Sequence, residues 1–298
     1  MNTKTKKLLA TSLVGVTMLG CFPSTAFADS TFNSAVVTTE LATLFSDKEL
    51  MQEMEQYAIE KNNVDFELCT KYKNIFDAAY ANQDITINTD GTIKINESLR
   101  NKLTNDEFNV FSKDMDIMNN SIELGIVYFD QNTNSFITKD TTVILNNFDS
   151  IVSKINLSSN TTVTRAVDNL NLGSMVHKNY LEIENYFLAQ IKYNPDGAHI
   201  ATGTYWGGKL VGVWNYKDPA ILGPYNHEYN CTYGLNSSKH VIHTAEFIGN
   251  YNYGYTGSLL YNLPILKAGS FAFAKFDPSD FSDHPAIEEG YYDSLNIE

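Results

Sequence analysis

The longest apolar segment of the chain lies at its amino terminus, and it indicates where the protein is located and whether it spans a membrane. It extends from Leu8 to Leu19, about a dozen residues, whereas a spanning helix needs roughly 20. Positive charges precede it and an A-x-A cleavage site follows it: Lys4, Lys6, Lys7 and then Ala26-Phe27-Ala28. We therefore expect residues 1–28 to be a secretory signal, and the mature, extracellular chain to have no transmembrane segment.

Cys21 gives this segment an alternative interpretation. It follows Met18-Leu19-Gly20, which weakly resembles a lipoprotein box. Leu19 is bulky where that motif has a small residue, so cleavage after Ala28 is the main expectation and a lipid anchor the alternative.

The expected mature chain is strongly acidic. Three of the 21 Lys and Arg residues lie in residues 1–28, which leaves 18 against 35 Asp and Glu, a net charge of −17. Residues 166–298 contain no arginine. Because affinity for phosphate backbones comes mainly from Lys and Arg, this composition excludes stable binding of nucleic acid or an anionic membrane. A catalyst that contacts its substrate briefly at a small site is still compatible with it.

The cysteine count excludes a disulfide-rich scaffold. After residue 28 only Cys69 and Cys231 remain. One bridge between the two halves fits this count, but two separate reduced thiols are the expectation. Ordinary hydrophobic burial must therefore stabilise the chain, and its length favours two domains.

Hydrophobic periodicity predicts an α+β fold. Residues 29–165 are predicted to form an α+β domain of unknown role, and residues 166–298 a mainly helical domain with Gly- and Tyr-rich turns. The predicted helices are Thr38–Lys61, Phe66–Ala81, Ser98–Asn120, Asn169–Ile191 and Ser237–Phe247, and the predicted hairpins are Ile85–Ile95 and Ile126–Thr138. An Asp90-Gly91 turn gives the first hairpin its signal. The polar stretch from Ser158 to Thr164 is the predicted boundary.

Three clusters in the last third carry the functional information. They are Trp214-Asn215-Tyr216-Lys217, then Glu246-Phe-Ile-Gly-Asn-Tyr-Asn-Tyr-Gly-Tyr-Thr-Gly257 with Leu266 and Gly269, and then Asp277-Pro278-Ser279-Asp280 with Ile287 and Gly290. In this order they resemble the bacterial polymorphic toxin type 44 domain family. That family combines W-D-Y-K, G-N-x-x-Y-G-x-x-G and a closing D-x-x-D with Ile and Gly. The resemblance covers about residues 170–298.

The resemblance implies a secreted antibacterial effector with RNase-type activity and a cognate immunity protein as partner. One position departs from the pattern, since Asn215 stands where the family usually has Asp. If that Asp is catalytic, this chain is impaired; if it caps a turn, Asn can replace it.

The candidate catalytic residues are Glu246, Lys217, His243, His240 and Asp280. On the predicted helix, His240, His243 and Glu246 are three apart and span an arc of about 120°. Such an arc can hold a metal, provide acid–base catalysis, or be a solvated surface with two histidines. Lys217 can stabilise developing negative charge. Asp280 is a second carboxylate or the N-cap of a final helix through Ile287.

Trp214, Tyr216, Asn250 and Tyr253 are the candidate substrate-binding residues, since aromatic rings stack on bases or sugars and an amide orients them. The leading hypothesis is an RNase-like hydrolase with Glu246 and a histidine as the acid–base pair. No metal or cofactor is expected, because the 2′-hydroxyl of RNA can act as nucleophile. The alternatives are a muramidase-like peptidoglycan hydrolase and a non-catalytic wall- or surface-binding module. The enzymatic hypotheses require Lys217, Glu246 and Asn250 to line one cleft.

Overall fold

The computed structural model describes residues 48–158, 169–218, 221–222, 226–233, 240–273 and 282–296. The predicted signal peptide, Cys21, Asp280 and most of the predicted boundary lie outside the described residues. Within them, eleven helices and three small sheets confirm the α+β fold class. None of the described helices combines the length and apolarity that crossing a membrane requires.

The helices are α1 (Lys48–Lys61), α2 (Phe66–Ala81), α3 (Glu97–Arg100), α4 (Asn105–Leu124), α5 (Thr141–Asn146), α6 (Phe148–Ser158), α7 (Leu172–Tyr193), α8 (Ala198–Val211), α9 (Ala245–Gly257), α10 (Leu263–Phe273) and α11 (His284–Leu295). A 3-10 turn, Pro195–Gly197, joins α7 to α8.

The strands form two hairpins and one three-stranded sheet. β1 (Ile85–Ile87) pairs with β2 (Ile93–Ile95), and β3 (Val127–Asp130) pairs with β4 (Ser135–Thr138), both antiparallel. The third sheet has the order β5–β6–β7, with β5 (Asn169–Asn171) parallel to β6 (Glu228–Thr232) and β7 (His240–Thr244) antiparallel to it.

Several local predictions are confirmed, because short-range chemistry decides them. Helix α2 has the predicted bounds, and the Asp65 carboxylate accepts hydrogen bonds from two backbone N–H groups of its first turn. Both predicted hairpins form. Gly91 adopts a φ of +87°, the left-handed conformation that the Asp-Gly turn requires.

Two predicted helices have different bounds in the structure, because a capping residue fixes the start of each long helix. The Ser98–Asn120 prediction divides into α3 and α4. Thr104 and Glu107 form a capping box that starts α4 anew. The Asn169–Ile191 prediction becomes strand β5 followed by α7, whose first turn is capped by the Asn171 side chain.

The predicted helix over Ser237–Phe247 is wrong. Residues 240–244 form β7, which pairs along its whole length with β6. Thr244 then caps α9, accepting a hydrogen bond from the Phe247 N–H at 3.2 Å. The β-branched pair Val241-Ile242 favours a strand, and a strand partner distant in sequence decided the competition.

One hydrophobic core includes residues from both sides of the predicted boundary. The Tyr193 ring on α7 packs against Phe76 of α2 and Phe136 of β4, with centroid separations of 5.9 and 6.3 Å. Cys69 and Cys231 are buried free thiols, which confirms that they do not pair.

Candidate functional site

The Gly- and Tyr-rich motif, predicted as turns, is helix α9, and two of the motif glycines bring α9 against α11. A Cβ atom added at Gly254 would overlap the carbonyl oxygen of Ile287, and one added at Gly290 would overlap that of Tyr251. The helices therefore touch backbone to backbone, an approach that only glycine permits. Gly254, Ile287 and Gly290 of the motif have a packing role.

We expect Gly290→Ala to lower the free energy of unfolding by about 2 kcal/mol, because the added methyl group forces α9 and α11 apart. Urea denaturation measures this loss. Gly249→Ala is the matched control, since its nearest neighbour is the flexible stem of Lys217, 3.1 Å from the new Cβ. Helix propensity alone favours both substitutions by about 1 kcal/mol, so a stabilised Gly290→Ala protein would contradict the packing role.

The four predicted substrate-binding residues are buried, and stacking on a substrate is therefore excluded in this conformation. Trp214, Tyr216, Asn250 and Tyr253 are 6%, 7%, 7% and 8% exposed. The hydroxyl groups of the two tyrosines form hydrogen bonds inside the protein. The Tyr253 hydroxyl donates to the Leu266 carbonyl at 3.0 Å, and the Tyr216 hydroxyl accepts from Asn179 at 2.8 Å. The many aromatic side chains of this segment are therefore part of the hydrophobic core.

Lys217 is partly exposed, like Asn215 of the same cluster, and its side chain contacts the second cluster and a carboxylate close to the third. Its stem lies against Gly249 of α9, with Cγ 3.1 Å from the position a Cβ would take. Its Nζ lies 3.3 Å from Oδ2 of Asp283, and the side chains are 28% and 10% exposed. Segments distant in sequence therefore meet at the start of α9.

Asp283 is the carboxylate that sequence reasoning missed. Asp280 was predicted in this role but lies outside the described residues. Asp277, Asp280 and Asp283 are spaced by three. That repeat was the available signal, although spacing alone does not select one of the three.

Helix geometry places Glu246 and Asn250 on the side of α9 where Lys217 lies. At about 100° per residue, Glu246 is about 60° from Gly249 and about 40° from Asn250. Glu246 is partly exposed, whereas Asn250 is buried. Lys217 and Glu246 are therefore partly exposed on the same side of α9, with Asp283 buried beside Lys217. Because Asn250 is buried, it does not line a cleft with them as predicted.

His243 lies on the other flank of α9. Its ring stacks on Phe247 at 3.7 Å, and Phe247 is about 160° around the helix from Gly249. Its Nε2 shares a hydrogen bond with the Tyr233 hydroxyl, which also bonds Glu289. Burial lowers the pKa of His243, which keeps the imidazole neutral near pH 7. His243 is thus bonded to Tyr233 and stacked on Phe247, and its role as the acid–base partner of Glu246 stays a prediction.

The predicted arc of His240, His243 and Glu246 does not exist, because the two histidines are on a strand. Strand positions three apart belong to opposite faces. Within the described ranges, no group of three or more His, Cys, Asp or Glu side chains is placed to hold a metal ion.

The half-exposed Asn215 lies in the turn between α8 and Lys217. Its backbone N–H donates to Gly212 and its carbonyl accepts from Asp218, at 2.9 and 2.8 Å. These are main-chain bonds, so Asp at this position would form the same turn.

Comparisons with known proteins identify no relative of this chain. No family model matches the chain. No curated protein and no solved structure gives a significant match either. The toxin type 44 resemblance therefore rests on the motif residues themselves.

Proposed function

We propose that the protein is an exported, toxin-like hydrolase of RNase type that acts by acid–base catalysis at the start of α9. The observation that supports this proposal is the contact of Lys217 with both Gly249 of the second cluster and Asp283, which lies three residues after the D-x-x-D of the third. Glu246 is the proposed base and acid, Lys217 the electrostatic partner and Asp283 the residue that positions Lys217. A cognate immunity protein is the proposed partner.

The proposed reaction uses the substrate's own nucleophile. Glu246 removes the proton of a ribose 2′-hydroxyl, whose oxygen attacks the adjacent phosphorus while the bond from phosphorus to the 5′-oxygen breaks. The proton then passes to the leaving 5′-oxygen, which gives a 2′,3′-cyclic phosphate and a 5′-hydroxyl. Lys217 stabilises the charge that develops on the phosphoryl oxygens. The step is balanced without a metal or redox partner.

The acidic charge of the protein is compatible with brief contact with RNA, as in catalysis, but not with a stable RNA complex. Lys217 is ion-paired with Asp283, so the site adds little net positive charge. Binding that uses about one phosphate contact depends weakly on salt, with a logarithmic slope near −0.7 for single strands.

We expect purified protein to cleave single-stranded RNA and Glu246→Gln to slow cleavage about a hundredfold, because general acid–base catalysis contributes about 10²–10⁴. Gel electrophoresis and detection of cyclic phosphate ends measure the reaction. Lys217→Met should show a comparable loss. Glu228→Gln, an exposed position at the start of β6, is the matched control and should retain full activity.

Intact RNA with the unmodified protein would reject the proposal. Clearing of a cell-wall suspension that Glu246→Gln abolishes, with RNA left intact, would assign the same carboxylate to a muramidase-like reaction. Cleavage that EDTA stops would contradict the metal-free step.

A further inference from the structure

A second polar feature lies apart from the residues proposed for hydrolysis. A cleft of about 520 Å³ lies between α4 and the end of α6 on one side and α7 and α8 on the other. Its volume is within the range of about 300–1,000 Å³ that small-molecule sites occupy. The residues used below are Asp116, Asn120 and Glu123 from α4, Glu182 from α7, and Tyr205 and Lys209 from α8.

A continuous hydrogen-bond network fixes the base of the cleft. The Glu182 carboxylate accepts from the Tyr205 hydroxyl at 2.6 Å and from Lys209 Nζ at 2.7 Å. The Tyr205 hydroxyl in turn bonds the Asn120 side chain. The Tyr205 ring is held by a parallel stack on Tyr186, with centroids 4.1 Å apart. These groups are ordered before any ligand arrives, which reduces the entropy cost of binding.

Lys209 is an unusually buried cation for a cleft, at 7% exposure. Its Nζ lies 5.3 Å from the centroid of the Tyr205 ring and 5.7 Å from that of Trp214. Both aromatic faces and the Glu182 carboxylate stabilise its charge. Trp214 of the first cluster therefore contacts the cation of the cleft without lining the cleft itself.

The charges of the cleft select among ligand classes. Lys209 and Glu182 neutralise each other, while Asp116 and Glu123 remain exposed as hydrogen-bond acceptors. Among the described residues, a phosphate-bearing ligand would face the carboxylates of Asp116 and Glu123, and the ammonium group that lines the cleft, that of Lys209, is already paired. Sugar hydroxyls both donate and accept, so they can donate to these carboxylates and accept from amide and ammonium groups.

We infer that this cleft binds a neutral, hydroxyl-rich oligosaccharide. A chain that is expected to be exported meets wall glycan as its first abundant polymer, and the cleft would attach the protein to it. The inference does not depend on RNA cleavage, since none of its residues belongs to the proposed hydrolytic centre.

The cleft also gives residues 29–165 a role. Asp116, Asn120 and Glu123 come from the predicted first domain, whereas Glu182, Tyr205 and Lys209 come from the second. Gly208 of α8 allows the close approach of Ile155 of α6, since an added Cβ would lie 2.5 Å from its Cδ1. Saccharide binding therefore requires both parts of the chain.

Titration of the full protein with a tetramer of β-1,4-linked N-acetylglucosamine, followed by calorimetry, tests the inference. The unmodified protein should bind, and Asp116→Asn combined with Glu123→Gln should weaken binding at least tenfold, a change of about 1.4 kcal/mol. Tyr205→Phe keeps the ring stack and should weaken binding similarly. Asp106→Asn, at the far end of α4, is the matched control. Glu246→Gln should bind like the unmodified protein even if RNA is not cleaved.

Three results would overturn the inference. One is absence of tetramer binding by the folded, unmodified protein. Another is equal binding by the Asp116/Glu123 double variant and the control. The last is binding of spermine or an RNA hexamer in place of the tetramer, with loss in the double variant, which would assign the cleft to a charged ligand.

Discussion

Replacing Lys192 by Met is expected to lower the free energy of unfolding by about 3–5 kcal/mol, because it leaves a buried carboxylate without its partner. Lys192 of α7 and Asp114 of α4 form an ion pair at 2.8 Å, with side chains only 9% and 7% exposed. Lys192 also lies 5.0 Å from the centroid of the Tyr72 ring. Burial raises the pKa of Asp114 despite the neighbouring ammonium group, so desolvation exceeds the attraction even while the pair is intact.

Two further variants separate the ion pair from simple loss of a side chain. Lys192→Met with Asp114→Asn should recover most of the stability, because the lone charge is gone and Asn can still accept from the Tyr193 hydroxyl. Lys73→Met breaks an exposed pair with Asp77, whose side chains are 34% and 49% exposed, and should cost at most about 0.5 kcal/mol. Equal losses for Lys192→Met and Lys73→Met in urea denaturation would show that burial of the Asp114 pair is unimportant.

Acidification from pH 6.5 to pH 4 is expected to cost the unmodified protein about 3 kcal/mol more stability than a His199→Leu variant. His199 is 3% exposed, its ring packs edge-on against Tyr261 at 5.2 Å, and neither of its nitrogens has a hydrogen-bond partner among the described residues. Burial lowers its pKa to about 4. The stability that depends on a neutral His199 is fully present above pH 6.5. It is lost as the pH falls toward 4, because the unfolded chain takes up the proton at a higher pH than the folded protein.

Urea denaturation of both proteins across this pH range isolates the effect of His199, since the other titrating groups are common to the two. Burial also lowers the pKa of His243, and that contribution cancels in the difference. At pH 7.5, His199→Leu should be neutral or slightly stabilising, because it removes unbonded polar atoms from the core. Parallel pH profiles for the two proteins would show that His199 is solvated in solution.

The parts of the fold that were predictable depend on neighbours in sequence. Asp65 at the start of α2 and Asp90-Gly91 between β1 and β2 fix their elements through bonds that span a few residues. The failed helix over Ser237–Phe247 shows the limit. Residues 240–244 are a strand because β6 lies alongside, and periodicity within the segment contains no information about that partner.

The candidate site shows the same difference between local features, which were predicted, and long-range contacts, which were not. Lys217 and Glu246 were proposed from the motif, and the structure brings Lys217 to the helix that carries Glu246. The helix spacing that grouped His243 with Glu246 is wrong, because His243 lies on strand β7, where it bonds Tyr233. Asp283 and the cleft at Glu182 were not predicted, since each depends on which helix surfaces meet.

The sequence by itself determined the α+β class, the acidic surface, the two unpaired cysteines, most element bounds in residues 48–138 and the motif glycines. Tertiary structure alone decided that Gly254 and Gly290 are points of helix contact, that the motif aromatics are buried, and that Asp283 is the partner of Lys217. The reason is physical. Turn and cap preferences act between residues two to four positions apart, whereas burial and ion pairing act between surfaces that only folding brings together.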